Sequence, residues 1–209
     1  MPCGLEPQGV RVPRRWEGPE WADVRCTVVK VQLTHPPQAI HGQMVTYPMA
    51  FSLNASYPRS LIRDLHERGI FYAHDVTLFY RGGAFEDFVR EAWRVAASQL
   101  EAALALAKDT DVMIVNLTLI DRISHFLWYD MREASPLRRP AVLRAYDFLH
   151  DACRQLQSLG TAHPPLFSAI GFVDLAEFHS LDYALPPNRL QARNAAGDID
   201  HARTIAAAP

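Results

Sequence analysis

Two side chains able to share a metal ion stand four residues apart in DVMIVNLTLIDRISHFLWYDM, residues 111–131: Asp121 and His125. A carboxylate and an imidazole are both ordinary ligands for zinc and similar divalent ions. Residues four apart on a helix share a face. The segment 111–121 is nearly continuous in apolar and β-branched residues and reads as a central strand, buried on both faces and ending at Asp121. RISHFLWYDM then reads as a helix, with Asp121 placed to cap it. In an open α/β sheet, ligands bind outside the carboxyl ends of the strands, which is where this pair would stand. Spacing alone also fits a capping Asp beside an unrelated His, because a metal site normally takes at least three protein ligands.

Other residues with chemical potential are less organised. His35 and His41 flank a Pro-Pro pair and His163 precedes another, but a mixed histidine site built from them has no spacing logic. Phe126, Trp128 and Tyr129 offer a cleft lining, although such a run more often packs a helix. Cys3, Cys26 and Cys153 form no CxxC or CxxH motif and read as free thiols of a reducing compartment.

The elements that must position these residues alternate in type. Residues 1–22 are rich in Pro, Gly and Arg and read as a loose arm; residues 23–209 read as one domain. Residues 24–33 carry the β-branched run of a first strand, followed by a Pro-rich loop. A helix is expected after Tyr57-Pro58, with Leu61, Ile62 and Leu65 inward and an end near Gly69. The longest helix is expected over 84–108, where Phe85, Phe88, Val89, Ala92, Ala96, Leu100, Ala103 and Leu104 recur at helical spacing. Another covers 140–159, with Val142, Tyr146, Leu149, Cys153 and Leu156 on one stripe and Gly160 as its stop. PLFSAIGF, residues 165–172, is a third strand candidate. Strands alternating with helices predict an α/β fold with a mostly parallel sheet flanked by helices.

With 209 residues, 49% of them hydrophobic, the chain is long enough for one sizeable core. A net charge of −2 and the lack of a basic stripe argue against a nucleic-acid partner. The N-terminus has no apolar core of a signal peptide, and no run approaches the roughly 20 apolar residues of a membrane span. A cytoplasmic location without membrane association is the expectation.

Beyond spacing, the text around Asp121 and His125, including Trp128, resembles the D-r-x-q-H-f-f-W segment of the type I phosphodiesterase/nucleotide pyrophosphatase group in the alkaline phosphatase superfamily. VKVQLTHPPQAIHGQMV resembles that group's v-n-v-P-x-T-Y-P-P stretch through Thr34, Pro36, Pro37, Gly42 and Met44. YPRSLIRDL, AYDFLHDACRQL and GDIDHART resemble later motifs in the same order, so the likeness runs over roughly residues 24–205. The resemblance implies an alkaline-phosphatase-like core and a two-metal phosphoester hydrolase, in which Asp121 and His125 are ligands of one ion. Two metals suit such a reaction because they offset charge on the transferring phosphoryl group.

Departures from that pattern limit the implied activity. The strand–helix unit that bears the family's early Asp and its nucleophile has no counterpart before residue 24, and Thr34 does not match the nucleophile motif. Ala169 and Ile170 stand where the family has an Asp and a His ligand, and His150 stands where it has an Asp. His179 and His201 are the candidates by residue type for a late ligand. The expectation is therefore at most one degenerate site for zinc or manganese, a phosphoester as the small-molecule partner, and reduced or no hydrolysis by the chain alone. A non-catalytic homologue that binds a partner or ligand is the alternative, and an interrupted gene fragment is a third reading. A missing first strand would leave a sheet edge open to self-association or a partner chain.

Overall fold

The structure, a computed structural model, describes residue 16 and residues 18–47, 54–74, 85–132, 139–160 and 165–168. All lie within the unit Met1–Phe172. The tail 173–209, with its two candidate histidines, lies outside the described residues, as do Cys3, His163, Ala169 and Ile170.

The α/β character holds. Cys26–Val29 (β1) runs parallel to Gly42–Val45 (β2) on one side and to Val112–Val115 (β4) on the other. Ser56–Tyr57 (β3) joins β2 antiparallel, giving the order β3-β2-β1-β4. In register, Val29 faces both Val45 and Val115, so the three parallel strands end level. Lys30, Thr46 and Asn116 are therefore the first residues past one common edge.

Among the described residues four α-helices accompany the sheet: Leu61–Glu67 (α1), Phe85–Leu106 (α2), Leu119–Arg132 (α3) and Arg139–Gln157 (α4). Val29 and Val45 on one sheet face pack with Leu61 and Leu65 of α1 and with Ala102, Ala103 and Leu106 of α2. Cys26, Val28 and Met44 on the opposite face take Trp16 and Trp21, from the segment expected to be a loose arm. This is the period-2 alternation of a sheet covered on both sides. α2 spans roughly 33 Å at 1.5 Å per residue, long enough to serve two cores. Its first half, through Phe88, Ala92 and Ala96, packs on Leu119, Ile123 and Leu127 of α3 and on Ala141, Val142 and Ala145 of α4. Ile123 and Leu127 are fully buried, each worth about 1.5–3 kcal/mol of transfer free energy.

Local chemistry explains the element ends. α1 stops in a Schellman turn: Gly69, at φ +81°, donates to the His66 carbonyl, and Ile70 donates to that of Leu65. Gly160, at φ +101°, follows the end of α4. Gly42 serves a different need. At φ +138° it passes so close to β1 that a Cβ there would lie 2.1 Å from the Cys26 carbonyl oxygen.

Several sequence expectations are corrected. The strand expected over 111–121 is shorter and ends at Val115. Among the described residues it is an edge strand with half-buried side chains, not a central one. An apolar run reads the same whether helices cover it or another strand adjoins it. The stripe of α4 is rotated: Tyr146 is exposed, and Ala145 and Ala152 take the buried positions, because small residues let α4 approach its neighbours closely. Residues 165–168 carry no regular structure, and Leu166 and Phe167 stand 70% and 84% exposed rather than packed in a strand. No helix of the described residues is long and apolar enough to cross a membrane.

Two outcomes follow for the β1–β2 junction. Gly42→Ala should destabilise the chain by about 3 kcal/mol or more, through both the close approach and the positive φ. Gly69→Ala, where an added Cβ meets nothing within 4 Å, should cost only about 1 kcal/mol. Urea unfolding of the two variants measures the difference. Burial also pushes the Cys26 thiol above its ordinary pKa. The folded state thus favours the protonated thiol, and this contribution is lost as pH rises through the raised folded value. Alkylation with iodoacetamide at pH 8, mapped by mass spectrometry, should spare Cys26 until denaturant is added, whereas half-exposed Cys153 reacts in the native state.

Candidate functional site at the carboxyl edge of the sheet

The last ladder bond of β4 runs from the Asn116 amide to the Val29 carbonyl, at 3.0 Å. Three residues then turn the chain into α3. The Thr118 carbonyl accepts from the Arg122 amide at 2.9 Å, so Thr118, not Asp121, occupies the N-cap position. Asp121 lies in the first turn, where a carboxylate favours the helix dipole. His125 follows one turn later, with its Nε2 3.3 Å from Asp121 Oδ1. The pair is therefore brought together, at 34% and 54% side-chain exposure, beside the edge where the parallel strands end. A side-chain contact of this exposure contributes little to stability.

A second cluster at this edge is not evident from residue spacing. Lys30, the first residue past β1, adopts φ +59° and is only 2% exposed. A non-glycine residue in that region carries roughly 1 kcal/mol of strain. Its amide is fixed by the Val45 carbonyl at 2.7 Å, and its side chain turns inward. Nζ donates to Gln99 Oε1 at 2.9 Å and to Thr118 Oγ1. Gln99, itself buried in α2, is held in that orientation by its Nε2 donating to the Ala73 carbonyl at 2.8 Å. Lys30 Nζ also lies 5.8 Å from the centre of the Tyr47 ring, and Arg122 Nη2 donates to the Tyr47 hydroxyl at 2.7 Å. One ring, just past β2, thus adjoins two cationic side chains from separate elements. Gln99, Thr118, Leu119 and Arg122 border a cavity of about 10 Å³, close to the minimum for one water molecule.

Several of the remaining sequence candidates that lie among the described residues have structural contacts; the Tyr129 side chain is not among those described. Thr34 is buried; its hydroxyl donates to the Val31 carbonyl at 2.6 Å and accepts from the Tyr47 amide at 3.2 Å. It braces the loop that carries Tyr47. His35 Nδ1 lies 3.4 Å from Thr46 Oγ1. Phe126 and Trp128 pack against the helical core, Phe126 edge-on to Phe88 with centroids 5.2 Å apart. Among the described residues no three His, Cys, Asp or Glu side chains come together as a metal site. The available signal for Lys30 was a single lysine inside the β-branched run TVVKV, which reads equally well as a solvent-facing strand position.

The Lys30 contacts predict a local effect. Lys30→Met keeps the aliphatic stem and removes the donors to Gln99 and Thr118. Hydrogen exchange of the Arg122 amide should quicken by about tenfold, the scale of one net hydrogen bond, while the Thr46 amide, bonded to Ala55, should change far less. Equal acceleration at both amides would show that Lys30 supports the whole sheet rather than the start of α3.

Comparison with protein-family models, with curated proteins and with solved structures yields no match to this chain.

Proposed function

We propose that the chain is a phosphoester-binding relative of the type I phosphodiesterase/nucleotide pyrophosphatase group that keeps a residual divalent-cation pair and has little or no hydrolytic activity alone. The observation that supports this reading is the Asp121–His125 geometry. Two donors that each stand 2.0–2.1 Å from one tetrahedral ion are themselves about 3.3 Å apart. Asp121 Oδ1 and His125 Nε2 have that separation on an accessible face. A zinc or manganese ion fits there only as an open, weak site, with water completing its coordination. When bound, the ion would polarise a phosphoryl oxygen. The protein's own part would be to orient the ester at the sheet edge.

Loss of catalysis is favoured by the departures from the family pattern. Thr34 is locked into the loop by two hydrogen bonds, and Ala169 and Ile170 stand where the family has an Asp and a His ligand. A retained hydrolase is the second reading, favoured by the same metal pair.

Calorimetric titration with Zn²⁺ or Mn²⁺, together with a nitrophenyl phosphodiester assay in the same buffers, tests the proposal. The expected outcome is one weakly bound ion, lost in Asp121→Ala, with turnover at background. Tight binding of two ions, or turnover abolished by Asp121→Ala, would contradict it and establish an active enzyme.

A further inference from the structure

We propose that two copies of this chain join through the outer edge of β4, which pairs antiparallel with β4 of a second copy about a two-fold axis at Ile114. Neither Asp121 nor His125 takes part, so this pairing and the phosphoester reading fail separately.

The two edges of the described sheet are built differently. β3, at one edge, has two residues and is followed at once by Pro58, which has no amide to offer. Shortness and proline are ordinary means of blunting an edge. β4, at the other edge, reads Val112-Met113-Ile114-Val115, with no proline and no charge. Its ladder to β1 uses alternate residues. The Val112 amide donates to the Arg25 carbonyl at 3.2 Å, and the Asn116 amide donates to that of Val29 at 3.0 Å. Met113 and Val115 therefore direct their amides and carbonyls away from β1. Among the described residues nothing pairs with those groups. The Met113 and Val115 side chains pack toward α1 and α2, which puts Val112 and Ile114 on the opposite face. All four are half-buried, so the strand is not covered over.

A second copy suits this edge for two reasons. The first is charge. Residues 112–120 carry no ionisable side chain. With the axis at Ile114, Asp111 lies opposite position 117 of the other copy. The two Asp111 carboxylates then stand roughly 20 Å apart along the strands, and no like charges meet. The second reason is closure. A two-fold contact uses the same edge in both copies. Met113 of each copy faces Val115 of the other and exchanges backbone hydrogen bonds with it, while Ile114 faces its own counterpart in a non-hydrogen-bonded pair, with Cα atoms about 4.5 Å apart. The two four-stranded sheets become one continuous sheet whose outer edges are the blunted β3 strands, so assembly stops at two. An edge of four residues makes a small interface, and the dimer is expected to be weak.

The test is sedimentation of the full chain from about 5 to 500 μM at physiological salt, the upper range suiting a small interface. A monomer–dimer equilibrium is expected, with nothing larger. Ile114→Lys, which sets two lysines opposite each other at the axis, should weaken it at least tenfold. An equal mixture of Ile114→Lys and Ile114→Glu should restore it. If those variants fail to fold, Ile114→Cys decides: mild oxidation should join the copies at position 114, mapped by mass spectrometry. A chain that stays monomeric at every concentration overturns the proposal, whether the Met113 and Val115 amides exchange freely, which leaves the edge to a different chain, or are protected, which means that the chain covers it itself. A dimer indifferent to Ile114→Lys, open-ended assembly, or no bridge at position 114 overturns it equally.

Discussion

The Lys30 side chain is the contact on which the arrangement of this edge depends. It leaves β1 in a left-handed conformation, enters the interior, and meets Gln99 of α2 and Thr118 at the start of α3. Burying an amine is costly unless its hydrogen bonds are made. The polar partners are therefore required of the fold, and in making them the chain fixes where two helices stand against the sheet. α2 is held by the Gln99–Ala73 bond as well as by its apolar stripe. The start of α3 sets the position of Asp121, Arg122 and His125 together.

Other constraints reinforce that geometry without duplicating it. Gly42 lets β2 lie close against β1, which levels the strand ends. Thr34 holds the Pro-rich loop against the Tyr47 amide, and Tyr47 in turn bonds Arg122. The apolar contacts of Ile123 and Leu127 anchor the opposite face of α3. The Asp121–His125 pair, on an exposed helical turn, depends on such supports for its placement, because neither side chain is itself buried.

How legible this was depended on whether a feature is local. α2 was readable because 22 residues repeat one apolar period, and the end of α1 because Gly69 meets a specific backbone need. The proximity of Asp121 and His125 was readable because helical spacing fixes it. The N-cap was misplaced by three residues: the apolar run continues through Leu117, Leu119 and Ile120, so nothing in it marks where strand gives way to helix. Lys30 was not readable at all. Its partners lie 69 and 88 residues away, and only the assembled sheet edge reveals that its side chain points inward. Tyr146 failed for a related reason: side-chain size says little about which face of a helix a neighbour will approach.

The proposed function stands or falls on Asp121 and His125, whose side chains meet at 3.3 Å, sharing an ion. Paramagnetic broadening by Mn²⁺ measures this directly. The account predicts that the His125 ring resonances broaden first among the histidines, at substoichiometric Mn²⁺, and that Asp121→Asn removes the selectivity. Uniform broadening of all histidines, or His125 signals untouched while others broaden, would contradict it.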